Sequence, residues 1–470
     1  MPDQPDQPDQ PDQLDPLDPP GPLDQPDPIA DPQADTLPSE VELTIPELLA
    51  FAMRMHREDR LDAAEKCYRS ILEADPGNAN AMHYLGVLLR QRGKGAEATD
   101  LIRQSIAIDP LVGPWHNNLG NVLLDEGQYD EAAAAYARCS ELDPDNLEVL
   151  NNLGVLLRNL RRPQEAEEML KRAIARNPGF GDAHANLASL CTSLGRMPEA
   201  FSHFADALAL RPADANTRRL LAIAYGWAGR LAEGQAACLH WLKLAPNDPQ
   251  ALHYLAAFGG ADIPERASDQ YVEQEFDGFA NSFDARLADL NYRAPELVGE
   301  AVTRLLGDER GQRQILDVGC GTGLCGPHLR PFARRLVGVD LSAGMLDRAR
   351  QRGLYDDLVK GELVAYLEAC EVAQDLVVSA DTLCYFGRLD ATFAAVHHSL
   401  RAGGHWVFTV EAHSLDADFK LQPHGRYSHA RGYVAAALAR AGFGAVDLRE
   451  VVLRSESLKP VAGWLVSATR

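Results

Sequence analysis

The stretch Ile315–Gly326, ILDVGCGTGLCG, ends a short apolar run in an acid and then breaks into glycines at alternate positions: Asp317, Gly319, Gly321 and Gly323. A strand that opens into such a loop and then a helix lets a ligand touch backbone amides, with the positive end of the helix dipole behind them. Nucleotide-bearing cofactors suit that loop, and two kinds compete for it. Gly321, Gly323 and Gly326 satisfy G-x-G-x-x-G, the dinucleotide spacing. Asp317 is a poor neighbour for a pyrophosphate and a good partner for the α-ammonium of a bound amino acid, usually through water. A second acid, Asp340, ends the next apolar run, VGVDLS. A carboxylate there accepts both hydroxyls of a ribose, which serves either cofactor.

The elements that must position this loop begin far upstream. Leu85-Gly86, Leu119-Gly120, Leu153-Gly154, Leu187-Ala188, Leu221-Ala222 and Leu255-Ala256 recur every 34 residues, as do six prolines from Pro76 to Pro246. Ala64, Ala98, Ala132, Ala166 and Ala200 keep the same period, with Gly234 in the last full unit. Small residues at fixed positions let paired helices approach, and each proline ends one pair and starts the next. The pattern resembles the tetratricopeptide repeat (TPR) family: six repeats and a capping helix over residues 45–258. That resemblance implies a concave face lined by the first helix of each repeat. Asn118, Asn152 and Asn186 hold one register position on three adjacent first helices. They resemble the asparagine ladder that grips a peptide backbone in some TPR superhelices, since an amide both donates and accepts. The plainer alternative is hydrogen bonding between repeats.

FGGADIP, around residues 259–264, breaks the period and reads as a linker or hinge. Beyond it the apolar runs QILDV, RLVGVDL, DLVVSA and HWVFTVE alternate with helical segments, and AVDLREVVLR and AGWLVSAT follow as an edge hairpin. The expected architecture is therefore multidomain. An all-α solenoid precedes an α/β Rossmann-like domain at 265–470, with a seven-stranded sheet and an antiparallel edge hairpin. Strand order, the acid Glu362 in LVKGELVAYL, and the aromatic FDGFANSFD segment resemble the class I S-adenosylmethionine (SAM) methyltransferases and their lid helix. The segments LDVGCGTGL, SADTLCYFG and GRYSHARGYV further resemble bacterial methyltransferases that carry TPR repeats.

The resemblance implies SAM as cofactor. Asp317 then orients the methionine ammonium, and the backbone of Gly319, Cys320, Gly321 and Gly323 passes close by. Asp340 holds the ribose, Leu341 lies against the adenine, and Glu362 and Leu363 lie near it. Glu362 stands where the family more often has Asp. Ala380 and Asp381 sit beside the methionine portion.

The acceptor side is less defined. No Asn/Asp-Pro-Pro-Tyr/Phe motif follows the fourth strand, so amino groups of bases are unexpected acceptors. Asp381, Tyr385, Tyr427 and His429 are the candidate catalytic groups, and Glu411, His413 and Arg426 the candidate substrate contacts. A histidine at 413 or 429 titrates near neutral pH and suits a general base, while an arginine at 426 suits a carboxylate.

Bulk properties narrow the remaining choices. Residues 1–47 hold ten Asp, three Glu and no Lys or Arg, more than half of the net charge of −23. Residues 1–44 therefore read as a disordered, Pro/Asp-rich tail. Nothing basic enough for nucleic acid is present, and no apolar run is long enough to span a membrane. Eight scattered cysteines without CxxC pairs fit a reduced cytoplasm, with neither disulfide framework nor metal site expected. The leading expectation is a SAM-dependent methyltransferase whose TPR half recruits a protein, peptide or carrier-bound substrate. A free small-molecule acceptor, a non-catalytic scaffold and a nicotinamide oxidoreductase are the alternatives.

Overall fold

The computed structural model describes residues 43–278, 280, 283–308, 310–456 and 459–470. All but the last two residues of the Pro/Asp-rich tail lie outside them. The described residues divide into two compact units, one ending at Pro110 and the other running from Leu111 to Arg470.

Among the described residues the first unit contains four helices: α1 (Ile45–Arg57), α2 (Leu61–Ala74), α3 (Ala79–Gln91) and α4 (Gly95–Ile108). They pack as two hairpins with Ala64, Leu85, Leu88, Ala98 and Ile102 buried. Arg92 crosses from α3 to Glu65 on α2 at 2.7 Å. The second unit continues the same pattern through α5 (Gly113–Asp125), α6 (Tyr129–Leu142), α7 (Leu147–Asn159), α8 (Pro163–Arg176), α9 (Gly181–Ser193), α10 (Met197–Leu210), α11 (Ala215–Trp227), α12 (Leu231–Leu244) and the shorter α13 (Pro249–Ala257).

The sequence period has a steric cause. A Cβ on Gly154 would sit 2.7 Å from Cγ of Leu170 on the partner helix, so the pair closes only around a small residue, here glycine. Side-chain caps start several first helices: Asn146 Oδ1 accepts from Val149 N at 3.1 Å, and Asp214 caps α11 in the same way. Asn186 Nδ2 donates to Asn151 Oδ1 at 2.8 Å, a hydrogen bond between repeats.

The α/β part begins with α14 (Asp269–Asp277), α15 (Phe283–Asp289) and α16 (Ala294–Leu306), and continues with β1 (Arg313–Val318), α17 (Gly326–Leu329), β2 (Ala333–Asp340), α18 (Ala343–Arg352), β3 (Asp357–Lys360), α19 (Leu363–Glu368), β4 (Gln374–Ser379), α20 (Asp390–Ser399), β5 (Leu400–His413), β6 (Phe419–Leu421), β7 (Tyr427–Ala430), α21 (Arg431–Ala441), β8 (Gly444–Glu456) and β9 (Lys459–Thr469). Strands β3-β2-β1-β4-β5 are parallel. β9 then pairs antiparallel with β5, and β8 with β9.

Those seven strands are the expected sheet with its edge hairpin, but among the described residues the sheet has nine. β5 runs 14 residues, and its end at Glu411–His413 pairs with β7, which β6 extends. HGRYSHA is thus partly strand rather than connecting loop. Large buried side chains, among them Trp406, Phe408 and Phe393, fill one face of the sheet beneath α20 and α21. Leu297, Val298 and Val302 of α16 cover the other.

The segment 259–264 is anchored at both ends. Gln235 donates to the Phe258 carbonyl at 2.5 Å, Tyr427 Oη donates to the Pro264 carbonyl at 2.9 Å, and Gly387 and Arg388 both donate to the Glu265 carbonyl. Residues 111–470 form one compact unit across it. Among the described residues, no helix is long and apolar enough to cross a membrane.

Candidate active site

A cavity of about 430 Å³ opens at the carboxyl end of the parallel strands, where open α/β sheets place ligands. Its floor is the glycine loop. β1 is followed by Gly319 at φ +73°, a conformation that suits glycine, and the Thr382 side chain fills the space a Cβ would need. Gly319 N and Cys320 N both donate to the Val339 carbonyl, which fixes the loop against β2. Gly321, at φ +54°, has no protein atom within 4 Å of where its Cβ would lie, and it lines the cavity. The loop therefore offers backbone rather than side chain to a ligand.

Asp340 closes β2 at the cavity. Its Oδ2 accepts from Gly321 N at 2.8 Å and its Oδ1 from Ser342 N at 2.9 Å. Glu362 caps α19 by accepting from Ala365 N at 2.8 Å, and it also meets Arg266 at 3.4 Å. Leu341, Leu363 and Ala380 line the same chamber. The aromatic segment after α13 covers it. Asp277 is bonded to Ser342 Oγ, Asp284 accepts from Thr322 Oγ at 2.5 Å, and Phe276 and Phe283 face inward.

Asp317 lies beneath the loop at 1% exposure and is not a lining residue. Tyr355 Oη donates to its Oδ2 at 2.7 Å, while Oδ1 is buried with no hydrogen-bond partner. Burial pushes its carboxyl up to about 7, against the pull of Tyr355. An orphaned, buried carboxylate oxygen one residue from the loop fits a cationic ligand group arriving above it. The open space at Gly321 fits a cofactor that rests on the loop backbone. Gly323 serves packing instead, its Cβ position being 2.9 Å from the Tyr355 ring.

At the far end of the cavity five charged groups interlock. Arg454, on β8 and 3% exposed, donates to Asp381 Oδ2 at 2.7 Å, to Glu456 at 2.8 Å and to Glu411. Arg426 donates from Nε to Glu411 at 2.6 Å and from Nη2 to Glu456. Burial pushes Glu411 and Glu456 up, but the two guanidiniums more than reverse this and hold both below the usual carboxylate range. For Asp381 burial wins and its carboxyl is raised, despite Arg454. Asp381 adopts φ +57°, keeps Oδ1 without a partner, and lines the cavity. Tyr385 lines it too, packed edge-on against Phe276, with its phenol pushed well above the ordinary value by burial.

Several expected contacts fall elsewhere. Tyr427 is fully buried beside Phe419 and Gly387, and its hydroxyl is spent on Pro264. His429 is also fully buried, 3.1 Å from the Gly387 carbonyl, and burial pushes it down to about 4. Neither lines the cavity, because β7 pairs onto the end of β5 and seats both rings in an aromatic cluster. His413 accepts from Leu415 N at 3.0 Å, away from the chamber. Glu411 lies behind the wall, and Arg426, though lining, is already neutralised. Three carboxylates face two guanidiniums, so the cluster has no spare positive charge for a substrate carboxylate.

The sequence reading missed the other wall. Arg219, Ile223 and Trp227 of α11 and Tyr254 of α13 line the same cavity as the glycine loop. Trp227 is 53% exposed and stands at the mouth. The equivalent residues of α5, α7 and α9 are Asp125, Asn159 and Ser193. A tryptophan where the other repeats are polar was the available signal.

Comparison with known proteins agrees with this division. Residues 315–404 match the family described as "Methyltransferase domain", and residues 57–111, 123–194 and 183–217 match families described as "Tetratricopeptide repeat". A malonyl-[acyl-carrier protein] O-methyltransferase of Yersinia pestis is 31% identical over 156 residues, 33% of this chain and 55% of its own length. Human methyltransferase-like protein 27 is 44% identical over 84 residues, 18% of this chain and 34% of its own. The chain thus spans about half, or less, of these relatives. A solved S-adenosylmethionine dependent methyltransferase from Mesorhizobium loti aligns at 24% identity and a TM-score of 0.30, over 37% of this chain and 98% of that one. The chain carries tetratricopeptide repeats over residues 57–217 and a methyltransferase domain over residues 315–404.

Proposed function

We propose that this protein is a SAM-dependent methyltransferase that acts on a protein or carrier-bound substrate presented by its TPR half. One observation carries the reading: helices α11 and α13 of the repeat array wall the same cavity as the glycine loop. A binding array merely tethered to an enzyme would not share its reaction chamber. The acyl-carrier substrate named for the Yersinia pestis relative agrees with it.

The residues divide the work. Gly319, Cys320 and Gly321 offer backbone to the cofactor, Asp340 takes its ribose, and Glu362, Leu341 and Leu363 flank its base. Asp317, from below the loop, balances the methionine ammonium. SAM supplies an electrophilic methyl group, so the protein's tasks are to align the acceptor, exclude water and receive a proton where the acceptor has one. Phe276, Phe283 and the rest of the aromatic cover exclude water. Asp381, with an unpartnered oxygen and a raised pKa, is the group suited to take the proton. Tyr385 stays protonated and donates a hydrogen bond. Arg454 positions Asp381 without entering the chamber's chemistry. Arg219 and Trp227 meet the acceptor as it enters.

Titration calorimetry with SAM, S-adenosylhomocysteine and NADH tests the cofactor: the first two bind and NADH does not. Incubation with methyl-tritiated SAM and an extract of the source cell tests the acceptor. Label enters the acid-precipitable fraction, and Trp227→Ala lowers that incorporation at least tenfold while leaving SAM affinity unchanged. Label confined to small molecules would favour a free acceptor instead.

A further inference from the structure

Away from the cavity, three side chains of the fifth repeat meet between α9 and α10. His184 Nδ1 lies 3.1 Å from His203 Nδ1 and 3.5 Å from Asp206 Oδ2, and the latter two are 3.8 Å apart. A point equidistant from three atoms so spaced is about 2.0 Å from each, the bond length of a divalent zinc-type ion to imidazole nitrogen and carboxylate oxygen. The other nitrogen of His184, Nε2, is 3.2 Å from the Pro178 carbonyl. That bond requires the proton on Nε2, so Nδ1 presents its lone pair to the other two groups. A histidine held through its second nitrogen in this way is the usual outer support of a metal ligand.

The repeat pattern shows that the cluster is a local departure. The residues at the register positions of His184, His203 and Asp206 are His116, Ala135 and Arg138 in the third repeat, and Leu150, Met169 and Arg172 in the fourth. They are Arg218, Ala237 and His240 in the sixth. None of those sets offers three ligands. The fifth repeat alone among these combines two imidazoles with an acid, where the third and fourth carry an arginine at the position of Asp206. His184 is buried, His203 half-buried and Asp206 exposed, so an ion has a route in from solvent. Spacing along the chain concealed the cluster, because its members come from two helices and 18 residues separate the histidines.

We propose that His184, His203 and Asp206 form a three-ligand site for a divalent transition ion of the zinc class, clamping α9 to α10. Two imidazoles and one carboxylate select that class over calcium or magnesium, which take oxygen ligands. A fourth coordination position stays open to water. The site is independent of the methyl-transfer cavity.

Competitive titration of the purified full chain with zinc and a chromophoric chelator tests this. Wild type takes up one tight equivalent, and His203→Ala loses it. Asp206→Asn, an exposed change that leaves packing alone, binds at least tenfold more weakly. His240→Ala, at the matching position of the next repeat, binds as wild type does. Cobalt gives the wild type visible absorption bands of a low-coordinate N/O site, absent in His203→Ala. Far-ultraviolet circular dichroism checks that each variant is folded. Failure of wild type to bind zinc, or an equivalent retained unchanged in His203→Ala and Asp206→Asn, overturns the proposal.

Discussion

Arg454 Nη1 lies 2.7 Å from Asp381 Oδ2, joining β8 to the loop that follows β4. The same guanidinium reaches Glu411 and Glu456, so a single side chain neutralises much of the cavity's acidic end. Removing one partner of a buried ionic set leaves uncompensated charge and costs about 3–5 kcal/mol. Arg454→Ala is therefore expected to lower the thermal midpoint strongly at neutral pH. The effect depends on pH in a defined direction. Glu411 has a folded pKa below its unfolded value of about 4.3. Its contribution is complete above that value and is lost as pH falls through the folded pKa. Asp381 is raised and takes up its proton at higher pH than Glu411 as the solution is acidified. The gap in midpoint between wild type and Arg454→Ala should shrink below about pH 4, as scanning calorimetry across pH will register.

Asp317 gives a second pH signature. Its carboxyl is pushed up to about 7 by burial, so below that pH it is protonated in the free protein. A ligand bearing an ammonium favours the ionised form, and binding must then release a proton. SAM affinity should rise with pH up to about 7 and level off above it. Calorimetry at pH 6 in two buffers of different ionisation enthalpy should reveal the released proton. Asp317→Asn should abolish that release and flatten the pH dependence.

Asp340 carries the third expectation. Its two oxygens already receive Gly321 N and Ser342 N, so the side chain shapes the loop, and it also lines the cavity. Asp340→Ala should weaken SAM binding at least tenfold, about 1.4 kcal/mol. Asp340→Asn keeps one acceptor for the loop and should fall between the two in an equilibrium titration.

The features legible in the sequence were those encoded locally. The 34-residue period is legible because that position admits only small residues, glycine where Tyr136 or Leu170 crowds Gly120 or Gly154 and alanine at 188, 222 and 256, and the loop is legible because Gly319 needs positive φ where Thr382 leaves no room. What escaped depends on pairing across the chain. Arg454 meets Glu411 only because β8 and β5 both pair with β9, a relation of 43 residues that no spacing announces. Tyr427 and His429 stand out in the sequence as candidate catalytic groups because their position after the fifth strand suits that role. A four-residue strand has too little pattern to reveal that it pairs with β5 and turns both rings inward. Trp227 was hidden by its period: at a register position that repeats, the eye discounts the one residue that differs.

The attachment of the repeats to the catalytic half yields the last prediction. His253 Nε2 lies 2.7 Å from the Gly425 carbonyl, and its ring stacks on Tyr271 at 3.9 Å between centroids. The carbonyl must accept, so the proton is on Nε2, and burial lowers the pKa of the ring and keeps it neutral. Gly425 immediately precedes Arg426 of the ionic cluster, so this contact links the capping helix to the acceptor end of the cavity. His253→Ala leaves a buried carbonyl unpaired and an aromatic face unpacked, which should cost about 1–3 kcal/mol. If the capping helix also sets the position of Arg426 and Tyr254 at the wall, the variant should raise KM for the macromolecular acceptor while SAM affinity stays near wild type. Loss of stability with an unchanged KM would assign the contact to folding alone.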